Sequence, residues 1–243
     1  RIAFGDEIDV VVPTGNFGNI LAAYFARRMG LPVRRFVCAS NANDVLTDFI
    51  HTGVYDRRRN FYTTISPSMD ILISSNLERM LYYLCGEDAA EVRRCMDALR
   101  ADGVYEISDG AKQALSGLFA GGFCDDAKTK SAILREFERS GYVCDPHTAV
   151  AVQVYGDYAA KGTDGVPALI ASTASPYKFA ASVLSALGET GETDEFLQLD
   201  RLAALSGMPC PPQLCNLQSK PVRFPDTCSK DRMLQSLYTF LHI

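Results

Sequence analysis

Residues 10 to 22, VVVPTGNFGNILA, constrain the fold more than any other stretch of this chain. A β-branched run stops at Pro13-Thr14, breaks into Gly15-Asn16-Phe17-Gly18-Asn19, and continues as an apolar helical pattern. A strand that turns directly into a helix must return through a crossover. The next β-branched run, Arg34–Ala39, supplies the second strand of a β-α-β unit. Neither strand alternates apolar with polar residues, so both faces of the sheet are expected to be covered. The fold class read from this pattern is α/β, with a parallel sheet between helical layers.

A third strand signal lies at Pro167–Ser172. Helical periodicity predicts helices over 19–29, 43–51, 77–84, 88–100, 109–119, 127–140, 147–160, 178–187, 198–205 and 230–241. The first of these stops at Gly30 with Pro32 beyond, a common way for helices to end. The stretch from about 77 to 141 carries four helical patterns and little strand signal. It reads as a helical excursion from the sheet. Residues 207–226 hold Pro209, Pro211, Pro212, Pro221 and Pro225, so an extended loop is expected ahead of the last helix.

Composition excludes several classes of function. A formal net charge of −5 argues against nucleic-acid or acidic-membrane partners. Arg27-Arg28, Arg34-Arg35 and Arg57-Arg58-Arg59 read as solvated edges. Eight cysteines spread along the chain form no Cys-x-x-Cys pair, and only three histidines are available as co-ligands. A disulfide scaffold and a zinc site are both disfavoured, and reduced thiols in a cytoplasmic protein are expected. No apolar run approaches the ~20 residues of a membrane span, and no signal-peptide pattern opens the chain.

The glycine break carries chemistry of its own. A turn from strand to helix presents unpaired N–H groups at the positive end of the helix dipole, where phosphate binds well. The Walker pattern is missing, and the spacing is Gly-x-x-Gly rather than Gly-x-Gly-x-x-Gly. No acidic residue ends the second strand to meet a ribose; Cys38-Ala39-Ser40-Asn41 stands there instead. A nucleotide is disfavoured. A single phosphate group and an ordinary tight turn both remain open on these residues alone.

The segments TGNFGN (14–19), CASNANDVLTDFIHTGVYD (38–56), TISPSMDILISSNLERMLYYL (64–84), GYVCDPHTAVA (141–151) and STASPYKFAASVLSAL (172–187) together resemble threonine synthase of the bacterial and fungal type. The resemblance runs from about residue 8 to the last helix. It implies a three-layer fold-type II architecture, like the β subunit of tryptophan synthase, and pyridoxal 5′-phosphate (PLP) as cofactor. The implied reaction converts O-phospho-L-homoserine and water to L-threonine and phosphate, by γ-elimination and then β-addition of water. Another fold-type II lyase or dehydratase is one alternative. A catalytically silent piece that only binds phosphate or PLP is another.

Carried over residue by residue, the resemblance puts the cofactor phosphate on Gly15, Asn16, Phe17, Gly18 and Asn19, and places the Thr173 hydroxyl against the pyridine nitrogen. A neutral hydroxyl there makes the ring a milder electron sink than an acidic partner does. By itself Thr173 also reads as a helix-entry hydroxyl. Substrate phosphate and carboxylate need cations and hydroxyls; the candidates are Ser75, Asn76, Arg79 and Lys178, with Ser66 and Ser68 nearby. Arg79 reads equally as a surface ion-pair partner. In DPHTA, Asp145-Pro146 reads as a turn into a helix, and His147 as a structural residue or an acid–base group. His51 reads as packing or surface. The family's Schiff-base lysine lies well upstream of the phosphate loop, in a motif this sequence does not contain. With Arg1 in first place and a strand already at Ile8, the sequence is expected to be the C-terminal part of the PLP-binding large domain, without the small domain.

Overall fold

The computed structural model describes residues 2–163 and 165–243. In chain order its elements are β1 (Ile8–Pro13), α1 (Gly18–Arg28), β2 (Val33–Ser40), α2 (Val45–Thr52), β3 (Val54–Asp56), α3 (Leu77–Leu84), α4 (Ala89–Ala101), β4 (Val104–Glu106), α5 (Asp109–Leu118), β5 (Phe119–Phe123), α6 (Asp126–Ser140), α7 (Pro146–Ala159), β6 (Ala168–Ile170), α8 (Ala180–Ala186), α9 (Glu195–Ser206), α10 (Pro212–Cys215) and α11 (Met233–Leu241).

Four strands form one parallel sheet in the order β5-β2-β1-β6. Every residue of β1 is buried, the pattern expected of a central parallel strand covered on both faces. Because side chains alternate, Val10, Val12, Phe36 and Cys38 pack with Ile20 and Leu21 of α1, Leu46 and Phe49 of α2 and Leu115 of α5. Val11, Val37 and Ala39 point the other way, against Val150 and Val154 of α7. The chain is a three-layer α/β/α structure. A further apolar cluster joins α6, α8 and α9 through Ile133, Val183, Leu184 and Leu202.

The buried face of β1 contains one charge. Asp9 is fully buried, and Arg34 of β2 grips its carboxylate with Nε at 2.9 Å and a terminal nitrogen at 2.6 Å. Arg34 also donates to the Thr163 carbonyl at 2.9 Å. The Arg34-Arg35 pair is therefore not simply a solvated edge: its first member neutralises the carboxylate in the neighbouring strand.

The expected excursion over 77–141 is helical, apart from two strands that the sequence reading did not assign. β4 pairs antiparallel with β3 outside the main sheet, where Tyr55 and Tyr105 stack at 5.3 Å. β5, with the sequence Phe-Ala-Gly-Gly-Phe, returns to the main sheet beside β2. Two glycines suppress the strand signal there, and packing explains both. A Cβ at Gly121 would lie 3.1 Å from the Thr47 Cα of α2. One at Gly122 would lie 2.7 Å from the Val154 Cγ1 of α7. Helices press on this edge strand from both layers.

Other differences lie at element ends. The helix expected over 178–187 begins as a 3-10 turn at Pro176–Phe179 before α8. α9 starts earlier than its apolar pattern, because the Asp194 side chain caps it. The proline-rich loop at 207–226 contains the single short turn of α10. All eight cysteines are unpaired.

Two substitutions test these packing arguments by urea unfolding. Asp9→Ala removes the buried carboxylate that takes two hydrogen bonds from Arg34 and is expected to cost about 2 kcal/mol or more. Gly121→Val forces a side chain against the α2 backbone and is expected to cost about 1–3 kcal/mol.

Candidate functional site

At the carboxyl end of β1 the chain turns through Thr14–Phe17 before α1 begins. Thr14 stays in the sheet register, its N–H donating to the Ala39 carbonyl at 2.8 Å and its hydroxyl to the Val12 carbonyl at 2.7 Å. Phe17 then adopts a left-handed conformation, φ 61°, as the residue before the helix. That conformation is costly for a bulky residue. The buried Phe17 ring, 5.8 Å from that of Phe119, supplies the compensating packing.

Backbone polarity in this turn is sorted. The Ser74 hydroxyl donates to the Gly15 carbonyl at 2.8 Å. The N–H and side-chain amide of Asn76 donate to the Asn16 carbonyl at 3.1 and 2.7 Å. The carbonyls are thus turned outward and occupied. α1 has no side-chain cap, and the Leu21 N–H is satisfied by the Phe17 carbonyl. Among the described residues, the N–H groups of Gly18, Asn19 and Ile20 meet no protein acceptor.

Gly18 and Asn19 line a cavity of about 330 Å³. Its first wall is the 14–19 turn. Its second is Ser68, Met69 and Asn76, its third Thr173, Ala174, Lys178 and Phe179 after β6, and His147 closes one side. Among the described residues that line it, none is acidic and Lys178 is the only lysine or arginine. The cavity is electrically suited to an anion.

The cavity gathers Gly15, Asn16, Phe17, Gly18, Asn19 and Thr173 with Asn76, Lys178 and Ser68. Ser75 lies behind the turn, its hydroxyl 3.5 Å from the Asn16 side-chain oxygen. Arg79 lies elsewhere, in a groove between α3 and α4 with Tyr82, Arg93 and Arg100. It stands three residues beyond Asn76 and lines that groove together with Ser75, Glu78 and Phe25 of α1. Ser66 is buried and receives a hydrogen bond from the Asn41 side chain at 3.0 Å. His51 sits on α2 against the Gly121 carbonyl at 3.1 Å.

His147 is the lining residue whose role the sequence left open. Its ring is buried, 4.8 Å from that of Phe179. Nδ1 lies 2.9 Å from the Asp145 carboxylate, and Nε2 accepts the Ser68 N–H at 3.3 Å. Asp145 caps α7 and is itself buried. Burial alone would raise its carboxyl, but donors from His147 and Thr148 outweigh that and hold it below its usual value. Beneath the site, burial pushes the Cys38 thiol up to about 12, despite a hydrogen bond from Thr14 that acts the other way. Cys38 is thereby kept a neutral packing group. No group of three or more His, Cys, Asp or Glu among the described residues is arranged to hold a metal ion.

Comparison with known proteins agrees with this architecture. Residues 148–234 match the family model described as threonine synthase, C-terminal. The chain is 43% identical over 211 residues to human threonine synthase-like 1, covering 86% of this chain and 28% of that protein. It is 41% identical over 197 residues to the threonine synthase of Methylobacillus glycogenes, covering 79% of this chain and 41% of the relative. The crystal structure of PLP-bound threonine synthase from Brucella melitensis superposes with a TM-score of 0.72 at 37% identity, over 85% of this chain and 42% of that one. The yeast threonine synthase structure gives the same TM-score at 34% identity, over 84% and 43%. This chain spans less than half the length of each of these proteins. Family model, relatives and solved structures point the same way as the fold and the turn after β1: the chain belongs to the threonine synthase family.

Proposed function

We propose that this chain supplies the phosphate-holding part of the active site of a PLP-dependent threonine synthase, a carbon–oxygen lyase acting on O-phospho-L-homoserine and water to yield L-threonine and phosphate. The observation that carries the reading is the convergence of the unsatisfied amides of Gly18 and Asn19 with the free hydroxyl of Thr173 across one acid-free cavity. The residues fit the cofactor's two ends. A phosphate ester suits the amides of the 15–19 turn, and an uncharged ring nitrogen suits Thr173, which lies on the opposite wall with no protein partner among the described residues.

Bound PLP supplies the electron sink that makes protons at Cα and Cβ of an amino acid removable. The chain's own residues do the holding. Gly15 and Gly18 leave room for the phosphate, the α1 dipole favours its charge, and Phe17 locks the turn. Lys178, Asn76 and Ser68 face the remaining space and are proposed to receive the substrate's anionic groups. The sheet and its covering helices correspond, in this reading, to the C-terminal part of the PLP-binding domain. Eight unpaired cysteines and the absence of a helix long and apolar enough to cross a membrane among the described residues accord with a cytoplasmic enzyme.

Gly18 is the sharper probe of the phosphate turn. A Cβ there would meet only the Asn76 side-chain nitrogen, at 3.6 Å, whereas one at Gly15 would lie 2.7 Å from the Ser68 carbonyl oxygen and disturb the fold as well. Gly18→Val is expected to weaken binding of PLP, followed by isothermal titration, about tenfold or more, with the melting temperature little changed. Unchanged affinity would remove the phosphate turn from the site. The reaction class is tested by product analysis of an enzyme containing this chain. O-phospho-L-homoserine should yield L-threonine and phosphate in equal amounts, and accumulation of 2-oxobutanoate would favour a dehydratase instead.

A further inference from the structure

Asp145 touches no part of the cavity, yet its carboxylate is tied to two of the walls. One oxygen accepts the His147 N–H and lies against His147 Nδ1, both at 2.9 Å, and accepts the Thr148 N–H at 3.4 Å. The other accepts a short hydrogen bond from the Thr148 hydroxyl. Each of these groups leads onward. His147 Nε2 meets the Ser68 N–H at 3.3 Å. Thr148 Oγ1 lies 3.3 Å from the hydroxyl of Ser172, the residue before Thr173.

The imidazole has no freedom in this chain of contacts. A backbone N–H only donates, so Nε2 must carry its lone pair toward Ser68, and the ring proton must sit on Nδ1, facing Asp145. In this arrangement the hydrogen-bearing nitrogen is Nδ1, and Nε2 has no proton to offer at the cavity side. It acts on Ser68 instead. The Ser68 carbonyl approaches Gly15 so closely that any side chain at 15 would collide with it. The position of the Ser68 backbone thus sets how the phosphate turn is roofed.

We infer that Asp145 is the positioning residue of the site: through His147 it seats the Ser68 backbone on Gly15, and through Thr148 it seats Ser172 and with it Thr173. The inference rests on the reading of the 15–19 turn and Thr173 as the two anchors of PLP. It removes His147 from the acid–base candidates. A buried carboxylate shielded from solvent is well suited to the task, because its hydrogen bonds persist whether or not a ligand is present.

The test uses the whole 243-residue chain, ¹⁵N-labelled, with inorganic phosphate and PLP as probes. In the wild type, the imidazole ¹⁵N spectrum at neutral pH should show His147 protonated at Nδ1 and bare at Nε2; a proton on Nε2 overturns the inference. His147→Phe keeps the shape of the ring without the acceptor. It should move the Ser68 and Gly15 amide signals, leave Thr173 in place, and weaken both probes about tenfold. His147→Gln places an oxygen within reach of the Ser68 N–H and should recover most of that loss, which a purely packing role would not allow. Asp145→Asn should move the Ser68 and Thr173 signals together. If Thr173 stays in place while Ser68 moves, the double role fails. If the wild type binds neither probe, the phosphate turn itself is refuted, while the tautomer and the Ser68 amide still decide whether His147 holds that backbone.

Discussion

β1 is buried along its whole length, between α1 on one side and α7 on the other, with β2 and β6 at its edges. A strand enclosed in this way can expose polar groups only at its ends. At the carboxyl end of a parallel strand the chain must turn into a helix, and the first amides of that helix have no partner within it. The site follows from the enclosure of β1. In an open parallel sheet the crevice beyond the strand ends is where ligands collect, and here the end of β6, carrying Thr173, opens onto the same crevice as the end of β1.

What suits the crevice to an anion is the disposal of carbonyls. Gly15 and Asn16 each present a C=O that would repel a phosphate, and both are engaged from behind by Ser74 and Asn76. This gives the ISSN segment a physical role that does not require every residue in it to reach a ligand. Ser74 and Asn76 sort the backbone of the turn, Asn76 also lines the cavity, and Ser75 stands behind it. Arg79 lines the α3–α4 groove with Ser75 and Glu78, outside the cavity that Asn76 lines.

The parts of the fold legible in the sequence were those set by local rules. The β-branched runs, the glycine break and the capped, periodic helices all lie close to where local chemistry puts them. β5 was not legible, because Phe-Ala-Gly-Gly-Phe is a poor strand by propensity and becomes one only through close packing from both layers. Asp9 was hidden for the opposite reason: it sits in an apolar run and looks like an edge residue until Arg34, 25 positions later, is brought beside it. In the candidate site, Gly15–Asn19 and Thr173 could be named from the family resemblance, whereas the function of His147 depends on which atom faces Nε2. No spacing rule contains that information.

α7 joins these levels. Its middle turns lay Val150 and Val154 under the sheet, with Val154 pressed against the glycine edge of β5, and its N-terminal end carries His147 on the cavity wall with Asp145 and Thr148 behind it. Apolar burial along the helix is worth roughly 1.5–3 kcal/mol for each large side chain, and it holds the whole rod in one place relative to β1. Hydrogen bonds at the end of a rod so fixed need not be individually strong to keep the Ser68 backbone and Thr173 at a constant separation. They need only be short of alternatives, and burial of the Asp145 carboxylate removes water as the alternative. The precision of the cavity is in this sense a property of the core, delivered to the site by one helix.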